Sequence, residues 1–166
     1  MRLLSAAAVL LFAVAAHAGP PVLVPVPGPD SSEATFADTG DDATWSARGA
    51  DGARLVVGEQ ALVTAQLGSL VRALPGPTDE PHLGLVKGGF RVRVGAAPVV
   101  LELDGGRQLR ARGAEILVSR LAGRWLLRVE ALDEGGAVEL EPVPGEEAQP
   151  EPVPEPPAEP DTGTAT

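Results

Sequence analysis

The sequence predicts an all-β fold: a single antiparallel β-sandwich or β-roll-like domain with disordered N- and C-terminal flanks. Three observations predict it. Short apolar runs recur between glycine turns from Asp51 onward, several of these runs alternate with a period of two, and no segment after residue 18 sustains a helical stripe. Period two is the mark of a strand with one face in a core and one in water. Asp-Gly and Gly-Gly pairs between the runs supply the positive φ that tight hairpins demand.

The elements follow in chain order. Met1-Arg2 gives a short positive start, Leu3–Ala16 is mostly apolar, and Ala16-His17-Ala18 sets small residues around a larger one before Gly19-Pro20-Pro21. That order is a secretory signal peptide, residues 1–18, with cleavage expected between Ala18 and Gly19. Its apolar run is short of the ~20 residues that a bilayer-spanning helix needs. No membrane insertion is expected once the signal is removed, and the expected location is periplasmic or secreted. Residues 19–50 are Pro-rich and then acidic, and are assigned to a spacer, in which Glu33–Ala50, with the runs Ala34–Phe36 and Ala43–Trp45, either adds an edge strand or stays loose.

Residues 51–142 carry the strand pattern. Ala53–Val57 and Ala61–Leu67 flank Gly58, and Ser69–Leu74 precedes a Pro-rich loop. Leu83–Val86 and Phe90–Val94 flank Lys87-Gly88-Gly89, and Val99–Leu103 and Arg107–Arg112 flank Asp104-Gly105-Gly106. Ala114–Leu121 and Trp125–Leu132 flank Ala122-Gly123, and Ala137–Leu140 closes the set. Phe90, Val92 and Val94 face one way and Arg91 and Arg93 the other; Trp125, Leu127 and Val129 likewise oppose Arg124, Arg128 and Glu130. Residues 143–166 form a Pro- and Glu-rich tail that cannot bury apolar surface and is expected to be disordered with polyproline II character.

The net charge of −10 is unevenly spread: residues 49–142 net −1, the tail −6 and residues 19–48 −4. The β-domain is therefore close to neutral, and acidity belongs to the flanks. No basic stripe with interleaved aromatics is present, so no nucleic-acid partner is expected. The chain has no cysteine, which excludes disulfide staples, and with only five aromatic residues its core must be aliphatic.

The runs LGLVKGGFRVRV (83–94), VVLELDGGRQLRAR (99–112), GAEILV (113–118) and WLLRVEALDEGGAVEL (125–140) together resemble the FecR-like domain of the iron-dicitrate sensor family. Gly113 and Val118 match the family's Gly-Thr-x-Phe-x-Val element, while Ala114 stands for its Thr and Ile116 for its Phe; Gly135 or Gly136 matches the glycine before the last strand. The resemblance covers about Asp51–Leu140. It implies an extracytoplasmic β-domain of the bacterial envelope used in sensing and protein contacts. The family's regulator joins that domain to a membrane helix and a cytoplasmic segment. Neither is read here, so a stand-alone exported form is the expectation.

No enzymatic activity and no cofactor are expected. Asp38-Thr39-Gly40 is the triplet of aspartic proteases, repeated at Asp161-Thr162-Gly163, and a dimeric retroviral-type protease is the catalytic alternative. Its context is wrong, because Asp38 should end a buried strand and instead precedes Asp41 and Asp42. Those three aspartates match no defined calcium loop. His82, assigned to a loop beside Pro81, is the sole histidine after the signal, too few ligands for zinc. Ser69 and Ser119 lack a nucleophile-elbow context.

Arg91, Arg93, Arg110 and Arg112 project from the wet faces of strands and, with Trp125, are the candidate partner-binding residues. The partner is an envelope protein or a cell-wall glycan of unknown identity. Cross-strand pairing with Glu102, Glu115, Glu130 and Glu139 is the plainer account of the same arginines, and core packing the plainer account of Trp125. A third function class is a structural spacer built on the tail.

Overall fold

The computed structural model describes residues 19–141 apart from 31, 42, 104 and 105. The signal peptide, Ala18, the tail and Asp161 lie outside the described residues. The fold is all-β, as the alternation predicts.

The strands are β1 (Leu23–Val26), β2 (Thr35–Asp38), β3 (Thr44–Arg48), β4 (Ala53–Val57), β5 (Ala61–Ala65), β6 (Leu70–Leu74), β7 (His82–Lys87), β8 (Gly89–Val94), β9 (Val99–Glu102), β10 (Gln108–Leu121) and β11 (Arg124–Glu141). They form one sheet in the order β1-β4-β5-β8-β10-β9-β7-β6-β3-β2, with β11 alongside β10. β11 pairs with both halves of β10, so β8 and β9 must lie end to end on the other side of β10. The sheet is thereby split into a β1-β4-β5-β8 half and a β2-β3-β6-β7-β9 half, with β10 and β11 running across both. The halves fold over one shared core that includes Leu55, Val63, Val92 and Ile116 from one and Val71, Leu83, Leu85 and Leu101 from the other. β2 touches β1 and β4, which nearly closes the roll.

Local sequence explains most of these elements. β8 buries Phe90, Val92 and Val94 and exposes Arg91 and Arg93. The β10–β11 hairpin turns at Ala122 and Gly123, both at positive φ (49° and 77°), the geometry that matches the twist of the strands. Two long strands replace four predicted ones: 107–112 and 114–121 join as β10, and 125–132 and 137–140 join as β11.

Three placements differ from the sequence reading. The segment assigned to a spacer, 19–50, supplies three strands where the sequence predicts at most one edge strand, β1, β2 and β3, and sends Ala34, Phe36 and Ala47 into the core. Its runs are only four or five residues long, and two of the three residues it sends into the core are alanines, so their hydrophobic signal is weak. His82 opens β7 instead of lying in a loop, opposite Leu74 on β6 and Val100 on β9. Lys87-Gly88-Gly89 is no hairpin turn: β7 pairs β6 and β9, whereas β8 pairs β5 and β10. The chain crosses there from one half of the roll to the other. Buried Ser69 holds the crossing, its hydroxyl accepting from Gly89 N and donating to Gly89 O at 3.2 Å each. The crossing also leaves β7 and β9 parallel, the one exception to antiparallel pairing among the described strands.

Candidate functional site

The outer face of β8 and β10 gathers the candidate arginines. On β8, burial of alternate residues turns Arg91 and Arg93 outward. On β10, Leu109 and Ala111 point inward and Arg110 and Arg112 outward. Gly113 and Ala114 are both buried, so the alternation inverts there and Glu115 becomes the next outward position. The ladder also slips between Arg112 and Ala114. A bulge of this kind bends a strand and re-aims its side chains.

The four arginines are not equivalent. Arg91 lies 3.6 Å from Glu115 and 3.3 Å from Glu130. Glu130 also receives the Arg128 guanidinium. Arg110 Nη2 lies 2.6 Å from Glu80 Oε2. Cross-strand pairing thus accounts for Arg91, and an ion pair to the loop before β7 accounts for Arg110. Arg93 and Arg112 are exposed and have no ion-pair partner among the described residues. Arg112 also lines, with Pro98, Arg110, Ala111, Ala137 and Glu139, a shallow cavity of about 190 Å³. Of the two guanidinium groups on its wall, Arg110 is held by Glu80, so Arg112 is the one that suits an anionic group, with Glu139 disfavouring a second one beside it.

Trp125 does not join this face. It sits opposite Arg120 on the inner side of the β10–β11 ladder, half-buried against the core. The Arg120 guanidinium lies 5.7 Å from its ring centroid, within cation–π range. Its indole Nε1 is buried without a hydrogen-bond partner among the described residues. Leu127 and Val129 share its face but lie at the sheet edge, half-exposed.

Asp38 ends the edge strand β2 in an exposed turn. Its carboxylate accepts from Gly40 N at 2.7 Å, and Thr39 N and Oγ1 both donate to Thr44 O. The triplet therefore shapes the β2–β3 hairpin, with Gly40 at φ 76°. Asp38→Ala is expected to cost about 1 kcal/mol of stability through the lost turn hydrogen bond, read as a shift in the urea midpoint. Asp42 lies outside the described residues, and no group of three metal-capable side chains occurs among those described. Gly19, the first residue after the expected cleavage point, forms a two-way bridge with Gly76. No helix among the described residues is long and apolar enough to cross a membrane.

No protein-family model, curated protein or solved structure matches this chain.

Proposed function

We propose that this chain is an exported, non-catalytic binding or sensing module of the FecR-like kind, which contacts an anionic surface of an envelope protein or cell-wall glycan. One observation carries the reading: Arg93 and Arg112 stand exposed, without carboxylate partners among the described residues, on one outer face, on either side of the Gly113 bulge. Exposed guanidinium groups with no ion-pair partner among the described residues suit bidentate pairing with carboxylate or phosphate. The neutral balance of the β-domain makes these two charges local, so they act by contact and not through a broad field. The residues that match the FecR-like pattern, Gly113 and Val118, lie on the strand that holds Arg112. The apolar leader 1–18 supports export.

Cross-linking capture in the native envelope, and retention on purified cell-wall polymer, test the proposal. Arg93→Glu with Arg112→Glu is expected to lower capture by about tenfold or more. Thermal unfolding should be nearly unchanged, because both side chains are exposed. Capture equal to that of the parent chain removes this face from consideration.

A further inference from the structure

β11 is an edge strand of 18 residues. It pairs β10 on one side and no other strand among the described residues on the other. Exposed edges invite pairing with another chain, and proteins blunt them with brevity, proline or lysine. The other two edges follow that rule: β1 has four residues including Pro25, and β2 has four. β11 contains neither proline nor lysine, and its edge protection is limited to its other charged side chains and to the register irregularities opposite Arg112–Ile116.

Its inner row is the core continued into solvent. Val118, Ile116, Ala114 and Leu109 on β10 are at most 3% exposed. Their direct neighbours on β11 are Leu127, Val129, Leu132 and Leu140, exposed by 37, 44, 57 and 51%. Burial collapses across a single ladder, as it does where the next strand of a sheet is wanting.

The charges of β11 are segregated. Its first half carries Arg124, Arg128 and Glu130, the last two paired with each other, and its second half carries only acids, Asp133, Glu134, Glu139 and Glu141. An antiparallel partner with the same polarity of charge sets Arg124 against the acidic end, and a second copy of the strand is such a partner.

We infer that β11 is the docking edge for a second copy of this chain, paired antiparallel about a two-fold axis. One register matches both faces at the two ends of the strand. It sets Arg124 against Glu141 of the second copy on the outer side. On the inner side, Trp125 meets Leu140 of the second copy and Leu127 meets Val138. The Asp133–Gly136 bulges then flank the axis, and symmetry repeats the ladder beyond it. The acidic tail of the same chain is a poor alternative occupant. Its prolines lack the N–H groups that a ladder requires, and its glutamates would repel the acidic half of β11. In an antiparallel ladder the two-fold stands perpendicular to the sheet, so the outer faces of both copies lie on one side. This inference is independent of what the arginine face binds.

Sedimentation of the full chain, expressed with its own leader, tests the inference. The parent chain should sediment with twice the single-chain mass at micromolar concentration. Leu127→Lys with Val129→Lys should sediment as a single chain with an unchanged far-UV spectrum. Arg124→Glu, at an exposed position that leaves the core untouched, should weaken self-association by about tenfold, and adding Glu141→Arg should restore it. A parent chain that stays single, a dimer that ignores both Arg124→Glu and the lysine pair, or a charge swap that fails to restore the dimer overturns it.

Discussion

Phe36→Ala is expected to destabilise the domain by about 3–5 kcal/mol, read as a fall in the urea midpoint with little change in slope. Phe36 is the largest side chain that residues 19–50 place in the core, and it is only 3% exposed. It packs in the same cluster as Leu55 and Val71, from opposite halves of the roll. β2 is also the strand that touches β1 and β4 to close the structure. Truncation to alanine removes the ring and leaves a cavity that a short edge strand, paired only with β3 in the ladder, can fill in part. Against a total stability of ~5–15 kcal/mol for a domain of this kind, that loss is large. Ala37→Ser, on the opposite face of the same strand, serves as the control and should shift stability by less than about 0.5 kcal/mol. Equal midpoints for Phe36→Ala and the parent would return residues 19–50 to the role of a passive spacer.

Strands with several branched aliphatic residues at alternate positions were legible in the sequence. Ala53–Val57, Phe90–Val94 and Val99–Leu103 announce their faces, and the structure buries the faces so marked. β2 and β3 were harder because Ala34, just before β2, and Ala47 on β3, though buried, carry little hydrophobic contrast. Pairing was harder still. A Gly-Gly step has the same local chemistry in a hairpin and in a crossover, and what decides at Gly88 is Ser69, 20 residues from its partner Gly89. The candidate site divides the same way. Outward placement of Arg91, Arg93, Arg110 and Arg112 follows from alternation alone. Which of them is already neutralised depends on Glu130 and Glu80, brought in from 39 and 30 residues away. Trp125, Leu127 and Val129 share one face, as the period predicts, but no periodicity tells whether another strand lies beyond them.

Gly136→Ala is expected to cost on the order of 3 kcal/mol, at the upper end for an overpacked site, and Gly136→Val only slightly more. A Cβ at Gly136 would stand 2.2 Å from Gly113 O and 2.9 Å from Asp133 O. Both are backbone atoms, so no side-chain rotation relieves the clash. The two glycines thus bring β10 and β11 into backbone contact where β10 passes from β9 to β8. Gly113 itself sits at φ 51°, a conformation that L side chains adopt at a cost of roughly 1–2 kcal/mol. Because the first carbon already produces the clash, alanine and valine should fall close together in a chemical-denaturation series. A steep rise from alanine to valine would instead indicate a site limited by side-chain volume. The same contact governs the arginine face. The inversion at Gly113 and Ala114 keeps Ile116 and Val118 inside and Arg112 and Glu115 outside. If the backbone parts at Gly136, β10 no longer bends at a fixed point, and the positions of Arg112 and Arg93 relative to one another are lost. Gly136→Ala should therefore reduce partner capture as well as stability, although residue 136 does not line the arginine-walled cavity.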